Sequence, residues 1–422
     1  MRKSLIFIAA AIVFMLLGLY LTHLRERLQS EVTPDVVVNS GDEEMTVSRP
    51  TVPSPDEIRE HPTPEPTLLM TAEEKDALFI ESLIDGMSLE EQISQLFILS
   101  LRENVTGPSG ELEMFITESG AGGYILFSSN ITTVEGTRAL TDAIKEFSAI
   151  ASFIGIDEEG GVVSRLASAG LPGYVRPPRA RDIGATGDPQ NAYIVGETIG
   201  RALQSIGVNV DFAPVADVLT NPQNTVIGSR AFGSDPELVS DMVSAFQAGL
   251  HSQGIMSAPK HFPGHGNTAS DSHFGYAIIA SDLEHLRAVE YKPFIRAINE
   301  GAEFIMTGHV IAPDIEPDGL PATLSRFFIT DVLRDELGFD GIIVTDAMNM
   351  GAITDKFTSA EAAVMAIIAG VDMILMPENF REALDGVLRA VDDGLISPER
   401  IRESLTRIFR IKLAAGLIIN TD

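Results

Sequence analysis

Three of the eight histidines fall within thirteen residues, in Lys260-His261-Phe262-Pro263-Gly264-His265-Gly266-Asn267-Thr268-Ala269-Ser270-Asp271-Ser272-His273. Lys260 is one of only seven lysines in the chain. Clustered imidazoles suit proton transfer or metal binding. His261, His265, Asp271 and His273 are all possible ligands, but the four-residue spacing of His261 and His265 would need a helix, which Pro263, Gly264 and Gly266 oppose. No metal is therefore expected. Asp271 and His273, two residues apart, suit a carboxylate that orients an imidazole and raises its basicity. A second group is Asp157-Glu158-Glu159-Gly160-Gly161, followed by Arg165. By itself it also reads as a solvated turn. Arg230, within Asn224–Gly233, suits a carboxylate or sugar hydroxyls, or a surface ion pair. Asp346 follows the run Gly341–Val344 after Thr345, as a carboxylate at the end of a buried segment or as a helix N-cap.

Each of these groups follows a short apolar run, and the runs define the elements that must position them. They are Gln95–Leu101, Gly122–Phe127, Ser152–Ile156, Val208–Phe212, Ile255–Ala258, Phe304–Thr307, Gly341–Val344 and Asp372–Met376. All are rich in Ile, Val, Phe and Leu without strict alternation, as in parallel strands covered on both faces. Helical patterns lie between them, at Thr137–Ser148, Ala192–Ile206, Pro236–Ser252, Asp282–Asn299 and Ser359–Ala369. Eight strand–helix units predict an α/β fold, a single (β/α)8 TIM-type barrel. A doubly wound sheet is the alternative, but no glycine-rich phosphate loop follows the first strand. A helical tail is expected over Phe380–Ala415. Barrel chemistry gathers at the carboxyl ends of the strands, where the groups above stand.

Three zones are expected: an anchor at 1–27, a linker at 28–70 and the folded body at 71–422. Leu5–Leu21 carries no charge, and Ser4–Thr22 as a helix would span roughly 28 Å, near the thickness of a bilayer core. Tyr20-Leu21-Thr22-His23 does not resemble a small-residue cleavage site, so an uncleaved membrane anchor is expected. Residues 31–70 hold seven prolines and nine acids against Arg49 and Arg59, too polar to repay chain ordering. With 60 Asp and Glu against 30 Lys and Arg, the net charge of −30 excludes electrostatic binding of nucleic acid. The absence of Cys excludes disulfides, thiolate metal sites, a thiol nucleophile and a lipidated cysteine.

The motifs Ile156-Asp-Glu-Glu-Gly-Gly-Val-Val-Ser-Arg-Leu166, Lys260–His273 and Val344-Thr-Asp-Ala-Met-Asn-Met350, in this order and spacing, resemble family 3 glycoside hydrolases. The likeness is to the bacterial β-N-acetylhexosaminidase branch and spans about Leu89 to Gly416. It implies a retaining exo-enzyme that releases terminal N-acetylglucosamine from peptidoglycan fragments or related oligosaccharides. Asp346 would be the nucleophile, His273 the acid/base and Asp271 its orienting partner. Asp157, Arg165, Arg230, Lys260 and His261 would bind the sugar. Arg165, Arg230 and Lys260 would also keep Asp346 ionised. No cofactor is expected, and the protein is expected to be a monomer, held at the cell membrane with its catalytic domain outside the cytoplasm. The rival readings are another exo-glycosidase of the family, acting on glucosides or xylosides, and a non-catalytic, membrane-tethered glycan-binding protein.

Overall fold

The eight apolar runs become eight short strands: β1 (Phe97–Ser100), β2 (Gly123–Leu126), β3 (Phe153–Ile156), β4 (Val210–Asp211), β5 (Met256–Ser257), β6 (Phe304–Thr307), β7 (Ile342–Thr345) and β8 (Ile374–Leu375). The computed structural model that shows them describes residues 70–270 and 277–421. The expected anchor at 1–27 and the linker up to residue 69 lie outside these residues. Among the described residues no helix is long and apolar enough to cross a membrane.

The strands pair in parallel, in the order β8-β1-β2-β3-β4-β5. After β5 the chain continues through Ala258-Pro259 into Lys260–Phe262, which pairs with β6, and β6 pairs with β7. Single parallel bridges, Val215 to Lys260 and Val344 to Met373, join these sets. The result is one curled parallel sheet with helices between successive strands. Continuous apolar runs were needed because both faces are covered: the strand residues are buried almost without exception. Phe153 and Phe304 meet edge-to-face at 5.1 Å between β3 and β6.

Local sequence fixes the helix ends. Thr133, Asp188, Asp235, Thr358 and Asn379 each cap a helix through the side chain, and Pro189 and Pro236 take the first turn. Two expectations are refined. The tail expected as one helix over Phe380–Ala415 is two, Phe380–Asp392 and Pro398–Ala414. Gly394 turns left-handed at φ 71°, and Ser397 with Pro398 starts the second helix. The segment expected as Asp282–Asn299 is helical but contains a wide turn at Leu286–Glu290 before Tyr291–Asn299. Pro293 has no N–H for the carbonyl of Val289, which loosens the ladder there.

Candidate active site

The run after β3 forms a two-stranded hairpin, Glu158–Gly160 against Val163–Ser164. Gly160 and Gly161 both take positive φ, 83° and 55°. A Cβ on Gly160 would lie 2.9 Å from the Pro178 carbonyl, and one on Gly161 2.7 Å from Arg179 Cγ, so the pair is glycine for reasons of space and backbone alike. The hairpin holds three acids in different states. Asp157 accepts from Lys260 Nζ at 2.7 Å and from Arg165 Nη2 at 3.1 Å. Glu159 accepts from Arg230 through Nε at 2.8 Å and Nη2 at 2.7 Å, and pairs with Lys260 Nζ at 2.8 Å. Burial opposes ionisation of both, but Lys260 with Arg165 outweighs it at Asp157, and Lys260 with Arg230 at Glu159. Both carboxyls therefore sit below the ordinary range. The same pairs hold the buried Lys260 ammonium and the Arg230 guanidinium above theirs, against desolvation.

Glu158 faces the other way. It is fully buried and accepts from the Leu166 N–H at 2.9 Å and the Tyr174 hydroxyl at 3.2 Å. Burial raises its pKa, as it does at Asp211 on β4, whose Oδ2 has no partner. The hairpin thus presents two ion-paired acids to the mouth and buries one whose pKa is raised.

Asp217, in the loop after β4, is wholly buried and accepts three bonds from the segment after β5. These come from His261 N–H at 3.2 Å, His265 N–H at 2.6 Å and the His261 ring Nδ1 at 2.8 Å. They hold its carboxyl below the ordinary range although burial works the other way. The Nδ1–H bond leaves His261 Nε2 facing Arg230 Nη2 at 3.3 Å. His265 packs beside His261, with ring centroids 5.9 Å apart, and burial lowers its pKa. Asn224 Nδ2 donates to the His265 carbonyl and to Thr268 Oγ1. Beyond this, Thr268–Ser270 pairs antiparallel with Ala277–Ile279, which pairs in parallel with Val310–Ile311.

Asp346 follows β7 and is half-buried. Its N–H donates to the Thr307 carbonyl on β6, and its Oδ1 accepts the Ala347 N–H at 2.7 Å. Oδ2 has no hydrogen-bond partner among the described residues. Met350, not Asp346, caps the next short helix, so the N-cap alternative is excluded. His309 lies alongside, with Nε2 donating to the Ala347 carbonyl and Nδ1 facing the Thr323 hydroxyl, both at 3.0 Å. Burial lowers its pKa, opposed by the Asp346 charge.

Asp157, Arg165, Arg230, Lys260 and His261 are therefore one connected network, and Asp346 stands at the end of a neighbouring strand. The three cations form their ion pairs with Asp157 and Glu159, acids at the same mouth. Asp271 and His273 lie outside the described residues; only the paired stem on either side of them is seen. Glu159, Asp217 and His309 were not singled out from sequence as site residues. Their shared signal is position, since each follows the carboxyl end of an apolar run. Among the described residues no three His, Asp or Glu side chains converge as a metal-binding set.

Residues 88–411 match the model of the glycosyl hydrolase family 3 N terminal domain. The chain is 33% identical over 330 residues to beta-hexosaminidase A of Pseudoalteromonas piscicida, covering 72% of this chain and 55% of that protein. It is 37% identical over 276 residues to a beta-hexosaminidase of Chromobacterium violaceum, covering 64% and 75%. Its fold matches a family 3 beta-N-acetylglucosaminidase from Paenibacillus sp. str. FPU-7, with a TM-score of 0.75 at 36% identity, covering 80% of this chain and 64% of that one. The chain thus spans little more than half of the first relative and under two thirds of the Paenibacillus protein. The three sequence motifs, the curled parallel sheet that presents them and the family match over most of the body agree, and the chain belongs to glycoside hydrolase family 3.

Proposed function

We propose that the protein is a retaining exo-β-N-acetylglucosaminidase that releases terminal N-acetylglucosamine from peptidoglycan fragments. The observation that carries this reading is the buried Lys260 bridge between Asp157 and Glu159, flanked by Arg165 and Arg230, on the loops of the strand ends where Asp346 also stands. Ion-paired carboxylates and guanidiniums with spare lone pairs and N–H groups are a rigid binding surface for sugar hydroxyls. Arg165 keeps its side chain 30% exposed beside Asp157, which leaves its guanidinium open to such contact. The relatives' names support the glycan class. The strand order, with single bridges at both joints, supports a closed eight-unit barrel.

In this mechanism Asp346 Oδ2 attacks the anomeric carbon while His273 protonates the leaving glycosidic oxygen. A glycosyl ester on Asp346 results. His273, now a base, takes a proton from water, which displaces Asp346 and retains the configuration. The ordinary imidazole pKa, near 6.5, suits both steps at neutral pH, and Asp271 would fix the ring. The Ala347 N–H on Oδ1 and the His309 bond to the Ala347 carbonyl hold the nucleophile's backbone still. His261 is fixed through Asp217 and presents Nε2 to the sugar side.

The membrane anchor, the exterior location and the monomeric state rest on the sequence alone and belong to the same proposal. The test is turnover of a defined muropeptide and of chromogenic N-acetylglucosaminides by the full chain in detergent. Asp346→Ala should lower kcat by more than about three orders of magnitude. Residual activity within tenfold of the parent would remove Asp346 as nucleophile. Faster turnover of a chromogenic glucoside or xyloside would favour the other exo-glycosidases, and binding without turnover would favour a glycan-binding protein.

A further inference from the structure

One buried acid next to the site has no role in that mechanism. Glu290 ends the wide turn Leu286–Glu290 and is wholly buried. Its carboxyl oxygens make no hydrogen bond of good geometry; the Val218 N–H and the Thr220 hydroxyl are the donors beside them. Its side chain lies against Gly264, in the turn between His261 and His265. A Cβ on Gly264 would come within 2.7 Å of Glu290 Cβ and 2.8 Å of its Oε2. Gly264 has φ 122°, which leaves the space that Glu290 fills. The same turn is also held by the three bonds to Asp217. The Pro263–Gly266 segment is thus clamped by an ionised acid that binds it and a buried acid that backs it.

The charges around Glu290 decide its state. From the loop after β4 it faces Asp217, an anion, and the neutral Thr220 and Val218. From the segment after β5 come His261, whose ring bonds Asp217, and His265, whose N–H bonds Asp217 while its ring Nδ1 meets the Thr268 hydroxyl. On its own helix the buried Tyr291 is neutral, and Arg287 is paired with Glu336 at the surface. The nearby cations Lys260 and Arg230 are committed to Asp157 and Glu159. Among the described residues no cation is left to compensate a second anion there, and an unpaired buried carboxylate is costly. Burial first, then repulsion from Asp217, pushes the Glu290 pKa up to about 8.

We propose that Glu290 is a positioning residue for the proposed hydrolysis: as a neutral acid it wedges the turn carrying His261 and His265 against Asp217, and loss of its proton releases that turn. This rests on the reading of the site as a glycosidase, but the clamp itself can be tested without activity. Its experiment is amide hydrogen exchange of peptides from residues 260–270 in the full-length protein, from pH 6 to 9.5, normalised to the intrinsic rates of the unfolded peptide. Wild type should lose protection there by about tenfold or more with a midpoint near pH 8, while the Phe153–Ile156 strand does not. Glu290→Gln should keep that protection throughout, because the amide stays neutral. Glu290→Ala should be poorly protected at every pH and should lower kcat more than it raises KM. The proposed acid His273 would give an alkaline loss of kcat by itself, so exchange rather than turnover carries the test. Constant protection in wild type across this range overturns the proposal, as does a Glu290→Gln protein with the wild-type pH profile. If Glu290→Gln does not fold, the wild-type profile still decides, and Thr220→Val should shift its midpoint. An exchange result as expected from a protein without hexosaminidase activity would leave the clamp standing and remove only the functional reading.

Discussion

Lys260 illustrates how one side chain organises the candidate site. It is 2% exposed and yet fully compensated, with two carboxylates within 2.8 Å. A buried ammonium is tolerated only when paired, and removing one member of such a set strands the others. The network is therefore a unit rather than three separate contacts. The acid/base is a different case, because its chemistry depends on the leaving group. His273→Ala should slow substrates with poor leaving groups, such as a sugar aglycone, by about 10²–10⁴-fold and activated aryl substrates much less. The measurement is kcat/KM against aglycone pKa. An equal loss across the series would argue that His273 does not protonate the leaving oxygen.

At the scale of elements, the segment after β5 concentrates the constraints. A Cβ on Gly266 would sit 1.9 Å from the Val218 carbonyl, a backbone atom that cannot rotate away. Gly266→Ala should destabilise the protein by ~1–3 kcal/mol and displace His261 and His265. Activity should fall more than tenfold, with wild-type secondary structure by circular dichroism. Gly107→Ala is the control, since nothing lies within 4 Å of its added Cβ. Equal behaviour of the two variants would show that the close approach at Gly266 does not matter. The strand Thr268–Ser270 pairs with Ala277–Ile279, which is tied in turn to Val310–Ile311 after β6.

At the scale of the whole molecule, the fold buries a cation that has no ion-pair partner among the described residues. Lys412, on the helix Pro398–Ala414, is completely buried and donates to Gln95 Oε1 at 2.9 Å. The rings of Phe153 and Phe409 lie 5.2 and 5.7 Å from its Nζ. Burial lowers its pKa to about 7. An unfolded lysine titrates near 10.4, so between these values the unfolded chain binds the extra proton and stability rises with pH. Below about pH 7 both states are charged and the folded state bears the full desolvation cost. Lys412→Met should therefore be more stable than wild type by ~1–3 kcal/mol at pH 6, with the advantage shrinking between about pH 7 and 10. Urea unfolding at pH 6 and 9 measures it. An advantage independent of pH would mean that Lys412 does not change charge in this range. Asp372 shows the opposite solution, a buried carboxylate met by Arg334, Arg407, Ser404 and the Ile343 N–H.

The sequence alone determined the strands, because parallel strands covered on both faces must be continuous apolar runs, and all eight runs are strands. It also determined which polar residues stand at the strand ends, since one residue past an apolar run is a local property. The helix starts at Pro236 and Ser359 are where the sequence reading puts them, whereas the helices expected from Thr137 and Ala192 begin three residues earlier, at Val134 and Pro189. The break in the tail helix was signalled by Gly394 and Ser397-Pro398 but was subordinate in the helical pattern. The partners of the charges were decided only by tertiary structure. Lys260 meets Asp157 across 103 residues and Arg230 meets Glu159 across 71, because strand order brings those loops together. No periodicity encodes that order. The same holds for the buried acids: the carboxyl pKa is lowered at Asp217 and Asp157 and raised at Glu158, Asp211 and Glu290, and the difference lies in which cations and N–H groups the folded chain places beside each one.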